Sequence, residues 1–131
     1  MGQVLLDTTV VVDLLRGREG AAARLRALRE AGDLPHVCAV TVEETARGLR
    51  PGEEDAVGRF LSGVGIAPLG RREGWVAGTW RRQFREHGRT LAQADCLIAA
   101  AALALGGRLA TGNPRHFPMT ELTVEEWPAG R

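Results

Sequence analysis

The sequence predicts an α/β fold, a mostly parallel sheet covered by helices on both faces, in a single domain spanning residues 1–131. Three observations lead there. Short apolar stretches without polar alternation, "QVLL", "HVCAV", "GIAPL" and "RLAT", recur along the chain, as strands buried on both faces do. Segments with apolar residues at helical spacing separate them. The 131 residues, 44% hydrophobic and 25% charged, suit one compact core that buries roughly two-thirds of the unfolded chain's surface.

Taken in order, Gln3 to Leu6 reads as a buried strand. After Asp7, Thr8 and Thr9 the chain turns helical, with Val11, Leu14 and Leu15 at helix spacing and Gly17 as the stop. A second helix from about Glu19 to Ala31 places Ala22, Leu25 and Leu28 inside and Arg24, Arg26 and Arg29 outside, ending at Gly32 and Asp33. "HVCAV" is the second strand, after which Thr41 caps a helix that carries Glu43, Glu44 and Arg47 toward Gly48 and Leu49. Beyond the break at Pro51, Val57, Phe60 and Leu61 mark a helix and "GIAPL" a third strand. Val76, Trp80 and Phe84 then mark a helix ending near Gly88. Thr90 opens the longest helix, from about Leu91 to Leu105, with Leu91, Ala94, Ile98, Ala101 or Ala102, and Leu105 facing inward. "RLATGN" is a strand and a loop, and "ELTVEEW" a short final strand.

Bulk properties exclude more than they assign. All 17 basic residues are arginine, and a formal net charge of +1 does not advertise nucleic-acid binding. Cys38 and Cys96 lack metal or disulfide spacing and read as small core residues. No signal segment opens the chain, and the longest apolar stretch, Cys96 to Leu105, is far shorter than the ~20 residues of a membrane span. The expectation is a cytoplasmic protein without a membrane partner. Neither G-x-G-x-x-G nor a P-loop is present, the lack of any lysine removes a receiver-like signalling domain, and Thr9 stands where a haloacid-dehalogenase-type phosphatase needs a second aspartate.

In an open parallel sheet, ligands bind beyond the carboxyl ends of the strands, near the switch point. Four polar residues fall in such places: Asp7 after the first strand, Glu44 one turn after the second, Asp95 early in the long helix, and Asn113 after the strand ending at Thr111. Asp95 neighbours Leu91, Ile98 and Ala99, so it stands beside the apolar face, although the helix dipole alone would favour a first-turn acid by about 0.3–1 kcal/mol. Asp7 interrupts an apolar run, and Thr8 and Thr9 are available to cap the helix in its place. Glu44 also fits a capping box with Thr41, Asn113 a turn before Pro114, and His116 a ligand, a base or an exposed loop histidine. Asp13, Asp33 and Asp55 fit exposed positions. Three carboxylates and an amide gathered without cations would repel. A hard divalent ion, Mg²⁺ or Mn²⁺, would resolve this and activate water for attack on phosphorus.

In this arrangement the chain resembles the PIN-domain nucleases, and within them the VapC-type toxins of toxin–antitoxin pairs, over nearly its whole length. "LLDTTVVVDLLRG" resembles the opening block with Asp7 as first acid and Thr9 as a supporting polar residue, and "AVTVEETARGL" the second with Glu44 as its acid. "LAQADCLIAAAAL" is similar to the third block with Asp95, and "LATGNPRHF" to the last, with Thr111 and Asn113 in the polar positions and His116 nearby. Many relatives carry aspartate where this chain has Asn113.

The resemblance implies a PIN-like three-layer α/β/α sandwich and a Mg²⁺-dependent endoribonuclease, with Mn²⁺ able to substitute. Asp7, Glu44, Asp95 and Asn113 would be its catalytic and metal-binding residues. It further implies a homodimer neutralised by a cognate VapB-type antitoxin. The alternative is a degenerate PIN domain that binds RNA or an antitoxin without cutting. Arg115, nearest the site in sequence, is the candidate contact to RNA phosphate, and Trp75 and Trp80 are expected in the core or a dimer interface.

Overall fold

The computed structural model describes residues 2–131. Its strands are β1 (Gln3–Leu6), β2 (Leu34–Cys38), β3 (Gly65–Ala67), β4 (Arg108–Thr111) and β5 (Thr123–Glu126). The helices are α1 (Thr8–Leu15), α2 (Glu19–Glu30), α3 (Ala39–Arg47), α4 (Glu54–Ser62), α5 (Arg71–Glu86) and α6 (Gln93–Leu105), with a single 3₁₀ turn at Pro114–His116. The sheet runs β3-β2-β1-β4-β5 with every pairing parallel.

Alternation along β1 divides the core. Val4 and Leu6 point to the side covered by α1, α2 and α4, where Val10, Val11, Leu25, Leu28 and Trp127 pack. Leu5 points to the side covered by α5 and α6, among Trp80, Cys96, Ile98 and Leu109. Chain order requires this layering. The path builds β2 and β3 outward from β1, then returns through α5 and α6 to place β4 on β1's other side, so the connection reverses between β1 and β4. Their carboxyl ends, Asp7 and Thr111, flank that switch point.

Several boundaries differ from expectation. The second strand ends at Cys38, and Ala39 and Val40 already belong to α3; short apolar residues suit either state, and packing decided. Thr41 is therefore a fully buried helix residue and not a cap. Likewise α6 begins at Gln93 after Ala92, so Thr90 does not cap it. In α2 the register buries Ala21, with Ala22 only half-buried. Trp80 is core, its indole N–H donating to Glu121 at 3.0 Å, whereas Trp75 is 75% exposed. Both cysteines are buried and unpaired, and burial pushes the Cys96 thiol up to about 11, which fits an inert core role. Among the described residues no helix is long and apolar enough to cross a membrane.

Candidate active site

Asp7 is 4% exposed, and its position follows from the strand it ends: its own N–H donates to Ala110 O at 2.9 Å, continuing the β1–β4 ladder. A buried carboxylate is costly unless donors meet it. Oδ1 accepts the Thr8 N–H at 2.7 Å, while Oδ2 accepts the hydroxyls of Thr9 at 2.9 Å and Thr111 at 2.7 Å. Asp7 is thus the N-cap of α1, the role expected of Thr8 or Thr9. Those threonines serve the site instead. Thr9 Oγ1 also accepts the Gly112 N–H, and Thr111 Oγ1 the Asn113 N–H, both at 3.0 Å, so the two hydroxyls lock Asp7 to the backbone leaving β4.

Glu44 is not in a capping box. Thr41 and Glu44 are three residues apart on α3 and share the face toward α1. Thr8 Oγ1 donates to Glu44 Oε1 at 2.7 Å and stands 3.0 Å from Thr41 Oγ1. Since the single Thr8 proton goes to the carboxylate, Thr41 donates to Thr8, giving a relay that fixes Glu44. Asp95, third residue of α6, has its Oδ2 3.3 Å from His116 Nδ1. The Asn113 amide nitrogen lies 3.0 Å from His116 Nε2. An amide N–H reaching Nε2 makes that nitrogen the acceptor and leaves the Nδ1 proton for Asp95.

Asp7, Glu44, Asp95, His116, Thr8 and Thr9 line one open cleft of about 570 Å³. Asn113 is not among its lining residues and stands one hydrogen bond behind His116, and Arg115 is exposed outside the cleft. Burial, foremost, and the charges of Asp7 and Glu44 push the Asp95 carboxyl above its usual range, while His116 opposes them. Among the described residues the one guanidinium within 4 Å of the three acids is that of Arg47, 3.9 Å from Glu44, and the His116 imidazole stands beside Asp95. This all-oxygen donor set under mutual repulsion fits a hard divalent ion. The side chains do not form a ready-made cage: among the described residues no group of three His, Cys, Asp or Glu is gathered tightly enough.

Sequence reasoning missed part of the wall. Asp13, read as an exposed helix residue, lines the cleft together with Ala129 and Gly130, and its Oδ2 accepts the Gly130 N–H at 2.9 Å. The available signal was the i, i+4 spacing from Thr9, which puts Asp13 on the same face of α1.

The chain is similar to known proteins over most of its length. The PIN domain family model matches residues 4–121. The chain is 35% identical over 115 residues to Ribonuclease VapC19 of Mycobacterium tuberculosis, covering 88% of this chain and 92% of that protein. It is 33% identical over 118 residues to Ribonuclease VapC10 of the same organism, covering 90% and 88%. A solved structure, VapBC2 from Rickettsia felis bound to a DNA fragment from their promoter, contains a chain of the same fold, with a TM-score of 0.86 at 20% identity over 95% of this chain and 98% of that one.

Proposed function

The chain belongs to the PIN domain family, and on that premise we propose that it is an endoribonuclease toxin that hydrolyses RNA phosphodiester bonds and is neutralised by a cognate VapB-type antitoxin. The observation that carries this reading is the meeting of Asp7, Glu44 and Asp95, from three separate elements, in one cleft at the switch point of the sheet. The names of the two mycobacterial ribonucleases support the activity, and the VapBC assembly of the structural neighbour supports the partner.

Asp7, Glu44 and Asp95 would hold Mg²⁺, or Mn²⁺ in its place, and the ion when bound supplies Lewis acidity and neutralises charge developing on the phosphate oxygens. The chain's own work is orientation. Thr9 and Thr111 aim Asp7, the Thr41–Thr8 relay aims Glu44, and Asn113 sets the His116 tautomer that faces Asp95. Such supporting hydrogen bonds keep carboxylate oxygens convergent while water attacks phosphorus and the ester P–O bond breaks. The resemblance also supports a homodimer, for which Trp75 on α5 is exposed apolar surface.

The direct test is incubation of the purified protein with structured RNA and Mg²⁺ or Mn²⁺. Cleavage is expected, with loss on addition of EDTA and in Asp95→Asn, whose circular dichroism should remain native. Equal cleavage by the wild type and Asp95→Asn would sink the assignment. Soluble, folded wild type that binds RNA without cutting it would select the binding-only alternative.

A further inference from the structure

Resting on the ribonuclease reading, we propose that a groove lined by Arg24, Trp127, Ala129 and Arg131 is a phosphate-binding position for the RNA chain beside the acid cleft. The two depressions share a wall. After β5 the chain runs on as a strap in which Ala129 lines both the acid cleft and a second groove of about 460 Å³. Three hydrogen bonds fasten it: Trp127 N–H to Thr111 O at 2.8 Å, Gly130 N–H to Asp13 Oδ2 at 2.9 Å, and Gly20 N–H to Arg131 O at 2.8 Å. The last of these requires glycine, because a Cβ at Gly20 would lie 2.7 Å from that same oxygen. The strap therefore has a fixed place relative to Asp7, through Thr111, and to α1 and α2.

The electrostatics give the groove its purpose. Asp7, Asp13, Glu44 and Asp95 all line the acid cleft, and a polyanion approaching it meets repulsion that must be offset alongside. Arg24 and Arg131 put two guanidinium groups on the strap's other side, where Glu126 also lies. Arg24 is held ready: its guanidinium lies 5.4 Å from the Trp127 ring centroid and gives one N–H to Glu126 O at 3.2 Å, leaving four donors for phosphate oxygens. Trp127 is 1% exposed, yet among the described residues its indole N–H has no partner, an unusual state for a buried donor. A guanidinium held over that ring beside a second arginine suits a phosphodiester backbone, which is read by charge and not by base identity.

The test is the binding of a short fluorescent single-stranded RNA oligonucleotide, followed by anisotropy across a salt series in EDTA so that no cleavage intervenes. Arg24→Gln/Arg131→Gln should weaken binding about tenfold and reduce the slope of log K against log salt by ~0.7 for each phosphate left without its arginine. Arg71→Gln/Arg72→Gln, which removes the same two charges from exposed positions at the start of α5, should leave both unchanged. With the metal restored, the double variant should raise KM and keep kcat. The Arg131 side chain makes no hydrogen bond among the described residues, so Arg131→Gln alone carries the test even if replacing Arg24 disturbs Trp127. Wild type that binds and cleaves RNA, with variants of unaltered affinity and salt slope, would overturn the groove and leave the ribonuclease reading standing. Wild type that neither binds nor cleaves RNA would overturn both.

Discussion

Strand β4 begins at an arginine that holds two carboxylates and ends at a threonine that holds one. At its amino end Arg108 donates from Nε to Glu125 at 2.8 Å and from Nη1 to Asp33 at 2.9 Å, and Asp33 also accepts the Gly2 N–H at 2.9 Å. Arg108, first, and that amide hold the Asp33 carboxyl below its usual range. At the carboxyl end Thr111 meets Asp7, and nearby Asp95 is pushed the other way by burial, Asp7 and Glu44. A chain with 17 arginines does not lack cations to place there. Pairing at one pole and repulsion at the other separate acids tied into the sheet from acids that, on the proposed function, are kept free for a ligand.

The largest way to break this contrast is Asp7→Asn, which keeps the N-cap and the neighbouring hydroxyls within reach but removes the charge. RNA cleavage should fall on the order of 10²–10³-fold, the scale of a lost preorganised electrostatic group, with Tm near that of the wild type. Thr111→Val comes next. The residue is fully buried, and the swap keeps its shape while leaving Asp7 Oδ2 and the Asn113 N–H each one partner short. Activity should drop ~10–100-fold, as for supporting residues of metal sites, and stability by about 1–3 kcal/mol in urea titration. A Thr111→Val protein of wild-type activity would make the threonine shell mere packing.

Asp7 and Asp95 were legible in the sequence because each interrupts an apolar pattern whose period is known, and a charge out of register needs a reason. Thr41 was not. Moving the end of β2 by two residues, through an Ala–Val pair compatible with strand or helix, turned an expected cap into a buried relay to Glu44, and only the hydrogen bond with Thr8 decides it. Asp13 and Gly130 lie 117 residues apart, and nothing local marks the strap's return. Which of Asn113 and His116 faces the acids depends on the 3₁₀ turn at Pro114–His116, a geometry that the proline suggests and does not fix.

Two smaller effects, opposite in sign, sharpen the contrast through pH. Arg108→Met should lower Tm at neutral pH and leave cleavage intact, since it lies at the far end of β4 from the cleft. An acid whose folded-state pKa is depressed contributes stability above its unfolded value, here 3.8, and loses it as pH falls through the folded value. The deficit of the variant should therefore shrink below about pH 4. Asp95 works in reverse, because its folded-state pKa is raised above 3.8 and ionisation costs the folded protein free energy. In metal-free protein Asp95→Asn should raise Tm slightly at neutral pH, and the gain should fade as pH drops through the raised value and vanish below 3.8, where both states carry the proton. The gain is the smallest of these effects because the first turn of α6 favours an acid through its dipole and His116 already offsets part of the repulsion. Thermal melts of both variants in EDTA across pH should converge on the wild type from opposite sides; a loss of stability in Asp95→Asn at neutral pH would mean that its charge serves the fold, as that of Asp33 does.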